Sequence, residues 1–237
     1  MTKAYVINLK NRKDRWEKIQ EQFKGVHCIT LERVDAIDAN YKTNEDFQNY
    51  PPYIYCGLSH QKILREHKDE GNILILEDDC GVTDKDYFSN KWPCIKEWLD
   101  DHPDDWDMFN GSPTNIEDYN IESVVCDNLQ LVELNEGMTT HFTYYNNKFI
   151  DTVLDEWKEE NFIKFDMFSF WAKNEKNEHK IKIITSIPYI VYQYNSYSDV
   201  ESDEHDYTPL FIVSENILKK GYMDRMGTDY ELPENYT

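Results

Sequence analysis

No run of about eighteen apolar residues occurs in the sequence, so nothing in it reads as a membrane-spanning helix. The first residues, Met1-Thr2-Lys3-Ala4-Tyr5, have neither the apolar stretch nor the cleavage site of a signal peptide, and a soluble, cytoplasmic protein is expected. Cysteine is sparse and scattered: Cys28, Cys56, Cys80, Cys94 and Cys126 form no Cys-x-x-Cys pair, which favours free buried thiols over disulfides or a zinc site. The phosphate-loop pattern Gly-x-x-x-x-Gly-Lys-Ser/Thr is missing, as are Gly-x-Gly-x-x-Gly and any internal repeat. Positive charge is short too, with 25 Lys and Arg against 46 Asp and Glu and a net charge of −21. Such a surface repels nucleic-acid backbones and anionic membranes, which excludes both as expected partners. One basic stretch stands out, Lys10, Arg12, Lys13, Arg15 and Lys18. It reads either as solubilising charge on a first helix or as the local cluster that an acidic protein needs to hold a phosphorylated ligand.

What is present centres on Asn72-Ile73-Leu74-Ile75-Leu76-Glu77-Asp78-Asp79-Cys80. Four aliphatics ending in three acids read as a strand buried on both faces that delivers carboxylates at its C-terminal end. In a parallel α/β sheet that end is where ligands bind. Adjacent carboxylates repel one another, and a divalent cation or donor hydrogen bonds offset the repulsion. Hard oxygen ligands suit Mg or Mn, although acids at this position also cap helices or face water.

The length of 237 residues fits one domain with a sizeable core. Ala4 to Leu9 predicts a first strand, a polar turn at residues 10–13 follows, and Asp14 is placed to cap a helix carrying Trp16, Ile19 and Phe23 until Gly25. A second strand over 27–34 ends at Asp35, which suits either a ribose or base edge or a turn. Residues 40–55 read as a tyrosine-rich loop. Cys56-Gly57-Leu58-Ser59-His60 opens a helix, where Gly57 permits close backbone approach and Ser59 and His60 suit either a polar ligand or simple packing. After the acids come a helix over 87–100 interrupted at Pro93, a strand over 106–110, strands between 121 and 134, a β segment over 138–145 and a helix capped by Asn146 or Asn147. Asp166 lies among Phe165, Phe168, Phe170 and Trp171, an apolar setting that can raise a carboxyl toward a general base's range, though the same Asp can cap a short helix. Strands are expected over 181–185 and 189–194, an acidic segment over 196–206 and a weakly periodic tail from Pro209.

Taken in order, Tyr5-Val6-Ile7-Asn8-Leu9 with Arg12, Asp14 and Arg15, then Val34-Asp35-Ala36, Cys56-Gly57-Leu58-Ser59-His60 and Ile75-Leu76-Glu77-Asp78-Asp79 resemble glycosyltransferase family 25. His141-Phe142-Thr143-Tyr144-Tyr145, Asp166, Pro188, Gln193 and Ser198-Asp199 extend the resemblance to about residue 200. That family includes lipooligosaccharide and collagen hydroxylysine galactosyltransferases. The resemblance implies a GT-A-like α/β fold with a mostly parallel central sheet flanked by helices. It divides the chain into a nucleotide-sugar-binding half at about 1–110, an acceptor-binding half at about 111–205 and a tail at 206–237. It implies inverting transfer of galactose or glucose from a UDP-sugar to a hydroxyl of a glycan or protein acceptor. Asp79, with Glu77, would hold Mn or Mg; Glu77 and Asp78 would meet the ribose or donor sugar; Asn8, Leu9, Arg12 and Arg15 would approach the nucleotide, with Asp35, Ser59 and His60 completing the pocket. Asp166 is the candidate base, and Gln193, Asp199 and His205 are alternatives for a third metal ligand. The triplet is Glu-Asp-Asp, not a strict Asp-x-Asp, which leaves the division of roles open. Two other classes fit the same acids: a nucleotide-sugar-binding protein without turnover, and a Mg-dependent phosphotransferase or nucleotidyltransferase, against which the missing phosphate loop argues.

Overall fold

Short aliphatic runs separated by longer amphipathic stretches dictate layers of helix on sheet. The computed structural model, which describes residues 1–38, 50–116, 119–126, 129–158, 165–166, 181–198 and 203–226, has that organisation. Strand β1 (Thr2–Asn8) leads through helix α1 (Lys13–Gln22) to β2 (Ile29–Asp35), and α2 (Pro52–His67) returns the chain to β3 (Ile73–Glu77). A short β4 (Cys80–Val82), helix α3 (Lys85–Asp101) and strands β5 (Met108–Asn110), β6 (Tyr119–Cys126), β7 (Leu129–Leu134) and β8 (Phe142–Tyr145) follow. Then come α4 (Asn147–Glu156), β9 (Ile183–Ile187), β10 (Val191–Gln193), β11 (Ser196–Ser198), β12 (Asp203–His205) and helix α5 (Thr208–Met226).

Eight strands form the main sheet in the order β2-β1-β3-β8-β5-β9-β7-β6. Strands β2, β1 and β3 are parallel, with Asn8 beside Asp35 and Ile7 beside Glu77. Strand β8 runs against β3 and β5, β9 runs along β5, β7 opposes β9 and β6 opposes β7. All strands except β8 and β7 therefore point one way, and the expected mostly parallel sheet is present in mixed form. From β1 the chain moves outward to β2 and then crosses back to β3, so the strand order reverses between β1 and β3. The crevice outside their carboxyl ends is the ligand position of such sheets. It lies at Asn8 and at Glu77.

Alternation along the two central strands builds a core on each face. Tyr5, Ile7, Ile73 and Ile75 pack with Ile54 and Leu58 of α2 and with Phe149 and Val153 of α4. Ala4, Val6, Leu74 and Leu76 pack with Ile19 of α1 and with Phe88, Trp92 and Ile95 of α3. Each such buried side chain contributes about 1.5–3 kcal/mol.

Four local expectations are corrected. Helix α3 runs through Pro93 without interruption, because Phe88, Trp92, Ile95 and Leu99 bury one continuous face that offsets the missing N–H. Helix α2 starts at Pro52, inside the expected loop, since a first-turn proline gives up no intrahelical bond; residues 39–49 of that loop lie outside the described residues. Asp14 falls in the first turn of α1 instead of capping it, 3.0 Å from Arg12. The tail is helical: α5 buries Phe211 and Leu218 while Leu210, Ile212, Val213 and Ile217 are exposed, so its apolar residues keep to no single face. Among the described residues no helix is long and apolar enough to cross a membrane.

Candidate active site

The reversal point gathers side chains from both halves of the sequence. Asn8 ends β1, the acids follow β3, Thr140 and His141 precede the antiparallel β8, and Gln193 and Tyr194 arrive from β10, which pairs with β4.

Asp78 is fully occupied by protein donors. Arg15 Nη1 donates to Oδ1 at 2.6 Å and Asn8 Nδ2 donates to Oδ2 at 2.7 Å. Burial pushes this carboxyl up, while the Arg15 guanidinium and the Asn8 amide pull against that shift. Asn8 is fixed in turn: Arg33 Nε donates to its Oδ1 at 2.7 Å, and its own Nδ2 also reaches the Arg12 carbonyl at 2.9 Å. The Tyr194 hydroxyl donates to the Asp78 carbonyl, and Tyr194 N donates to the Asp79 carbonyl at 3.0 Å.

Asp79 is provided for on one side only. Gln193 Nε2 donates to Oδ2 at 2.9 Å and Arg15 Nη1 stands 3.8 Å from the same oxygen, whereas Oδ1 is buried without a hydrogen-bond partner among the described residues. Burial, followed by the neighbouring Glu77 charge, pushes the Asp79 carboxyl up to about 7. A proton or a cation relieves that carboxylate.

Glu77 turns toward α2 and β8. Thr140 Oγ1 donates to Oε1 at 2.7 Å, and His60 Nε2 lies 3.5 Å from the same oxygen. Burial alone would raise the Glu77 carboxyl, but the imidazole and the Thr140 hydroxyl outweigh it and hold it low. Cys56, one helical turn before His60, closes the group, and the donor atoms of Cys56, His60 and Glu77 all lie within 4.8 Å of one another. Burial, then the charges of Glu77 and Asp166, push the Cys56 thiol well up, so Asp166 lies within electrostatic reach of this cluster. Gly57 makes that approach possible: a methyl group there would sit 2.5 Å from Trp157 and 2.8 Å from Phe165. The Phe165 ring in turn packs 5.1 Å from His60. On the other side, His141 Nε2 pairs with Ser112 Oγ at 2.7 Å, its Nδ1 is buried without a partner among the described residues, and burial pushes its pKa down to about 4.

The fold thus brings together Asn8, Arg15, His60, Glu77, Asp78 and Asp79, with Asp166 within electrostatic reach of Cys56. Arg12 opens α1 and pairs with Asp14, and the Leu9 carbonyl accepts from Arg12 N at 2.9 Å. Asp35 ends β2 half exposed, 3.4 Å from Arg33. Ser59 spends its hydroxyl within the chain, donating to the Tyr55 carbonyl at 2.7 Å and accepting from Ile37 N at 2.9 Å, which ties α2 to the segment after β2. Of the alternatives for a further ligand, Gln193 reaches Asp79, Asp199 lies outside the described residues, and the His205 backbone pairs with Ser196 in the β11–β12 hairpin. Sequence reasoning missed Arg33, Thr140 and Tyr194. Arg33 lies on β2, Thr140 just before β8 and Tyr194 just after β10 of the separate β10–β4 pair, so their convergence shows only once the strands are placed.

Fold and site together give an α/β protein with an acidic crevice at the strand-order reversal. The family model described as Glycosyltransferase family 25 (LPS biosynthesis protein) matches residues 1–223; the chain belongs to that family, and its activity is the transfer of glycosyl groups. No curated protein matches the chain. Among solved structures it is similar to the crystal structure of A197 from STIV, at 14% identity over 86% of this chain and 93% of that one with a TM-score of 0.44. It is also similar to a glycosyltransferase involved in the glycosylation of the major capsid of PBCV-1, at 11% identity over 78% of this chain and 80% of that one, again with a TM-score of 0.44.

Proposed function

We propose that the chain transfers a hexose, galactose or glucose, from a UDP-sugar to a hydroxyl of a glycan or protein acceptor, with inversion and with a divalent cation, Mn or Mg, on a GT-A-type scaffold. The observation that carries this reading is the buried Asp79 Oδ1 at the strand-order reversal, which has no hydrogen-bond partner among the described residues. A hard, partnerless carboxylate oxygen beside a second carboxylate and a side-chain amide fits an oxygen-seeking cation. Asp79, with Glu77, would hold it, and when bound it would neutralise charge on the departing diphosphate.

The remaining roles belong to the chain. Asn8 and Arg15 fix Asp78, so the turn that presents Asp79 is rigid before any donor arrives. Arg12, at the positive end of α1, and the Leu9 backbone face the nucleotide, and Asp35 at the end of β2 is placed for the ribose. His60 and Ser59 form the α2 wall of the pocket. Asp166 takes the proton from the acceptor hydroxyl on the face opposite the leaving group, as a single displacement requires. Residues 1–110 serve the donor and 111–205 the acceptor. One continuous sheet runs through both.

The test is UDP release from a panel of UDP-hexoses, with Mn and with EDTA, because a donor is commonly hydrolysed slowly without acceptor. Release from one UDP-hexose, lost with EDTA and in Asp79→Asn, is expected. Absence of release together with absence of UDP-sugar binding by calorimetry would overturn the proposal. Binding without turnover over a broad acceptor panel would make the chain a nucleotide-sugar-binding protein, and preference for nucleoside triphosphates would point to phosphotransfer. With a defined acceptor, Asp166→Asn should lower transfer by about 10²–10⁴-fold while donor affinity holds. Near-normal transfer would remove Asp166 from the base role.

A further inference from the structure

The sequence contains no Cys-x-x-Cys pair, yet the fold assembles a sulfur, nitrogen and oxygen donor set. Cys56 and His60 are four apart on α2 and share one face of it, opposite Glu77 at the end of β3. Their donor atoms all lie within 4.8 Å of one another. His60 is fully buried, and among the described residues its Nε2 has no hydrogen-bond partner, although Glu77 Oε1 stands 3.5 Å away. That separation is long for a hydrogen bond and right for two ligands of one ion. In a tetrahedral zinc site with bonds of about 2.0–2.2 Å, neighbouring nitrogen and oxygen donors stand about 3.4 Å apart. The other ring nitrogen, Nδ1, is 3.1 Å from the Tyr145 hydroxyl, the kind of outer partner that orients a ligating imidazole.

We propose that Cys56, His60 and Glu77 form a site for a thiophilic divalent cation of the zinc class, separate from the hard-cation position at Asp79. Binding replaces the thiol proton: the Cys56 S–H bond breaks, a sulfur–metal bond forms and one proton leaves to solvent. Because Glu77 serves both positions, a soft cation draws it away from Asp79 and antagonises the hard one. The donor geometry stands whichever sugar the enzyme transfers.

The experiment titrates the metal-free full chain with Co²⁺ and Zn²⁺. One equivalent of Co²⁺ should produce thiolate charge-transfer absorption that Zn²⁺ abolishes. The band should vanish in Cys56→Ser and persist in a Cys28→Ser/Cys94→Ser control, and zinc affinity should fall at least about tenfold in Cys56→Ser. In the unmodified sequence, zinc should also slow alkylation of Cys56 at least about tenfold, a readout that needs no variant to fold. A folded protein that gives no thiolate band, a band that survives Cys56→Ser, or unchanged Cys56 alkylation with zinc would overturn the site. None of these outcomes depends on UDP-sugar turnover, so they are distinguishable from failure of the transferase reading.

Discussion

Asp78 and Asp79 are neighbours with almost the same exposure, 6% and 7%, and opposite surroundings. The region around Asp78 is closed: a guanidinium and an amide occupy its two oxygens, and Arg33 fixes the amide from behind. The region around Asp79 is open by one oxygen, with a carboxyl pushed up to about 7. Burial alone therefore does not mark a ligand site. A buried carboxylate whose partners are complete belongs to the scaffold, and one whose partners fall short has a place for something the chain does not supply.

The sharpest way to break this comparison is Arg15→Met, which leaves Asp78 buried beside the Asn8 amide alone. Loss of about 3–5 kcal/mol of unfolding free energy is expected by chemical denaturation; a loss below about 1 kcal/mol would place Asp78 outside the scaffold. Asp79→Asn should behave in the opposite way. Donor turnover should drop by about 10²–10³-fold, yet unfolding should show no loss of stability, because an amide oxygen still accepts from Gln193 and the uncompensated charge is gone. Next in size is Gly57→Ala. It forces Trp157 and Phe165 off α2 and should cost about 1–3 kcal/mol, with transfer to acceptor falling more than donor hydrolysis because Asp166 moves with Phe165. A further effect is on pH dependence. The Asp79 carboxyl is raised from 3.8 to about 7, so the folded protein holds a proton that the unfolded chain has lost between those values. Its contribution to stability is complete below the lower value and fades as pH rises through the upper one. The metal-free melting temperature should accordingly fall with pH across that window more steeply in the wild type than in Asp79→Asn, and saturating Mn should remove the difference.

The parts of this molecule that were legible in its sequence are those where one residue pattern has one structural solution. The run Ile73 to Leu76 has no polar position, which suits only a strand covered on both faces, and both cores meet there. Asn146 caps α4 as its side chain predicts. Pro93 and Pro52 misled in different ways: at Pro93 the buried face of α3 offsets the missing N–H, and at Pro52 the first turn has no intrahelical bond to lose. Helix α5 was hidden because its apolar residues are split between the core and the surface. At the site, the acids and Asn8 declared themselves as polar ends of apolar strands. Which of the three acids lacks partners was not readable, since that depends on Arg15, Gln193, Thr140 and His60, drawn together from four separate elements. The Cys56–His60–Glu77 group escaped the cysteine count because only one of its donors is sulfur.

Helper strand β10 has a bearing on the order in which this protein is made. The acidic turn emerges about a third of the way along the chain, yet Gln193 and Tyr194 reach it across 114 and 116 residues of sequence. As the polypeptide leaves the ribosome, β1, β2 and β3 can pair early, since their contacts are local by comparison. The turn they display cannot be finished then. Asp79 and the Asp78 carbonyl must wait for a segment synthesised after β9, so a nascent chain that ends before β9 carries the acidic turn with part of its support missing. The turn is completed late, by residues more than a hundred positions further along the chain.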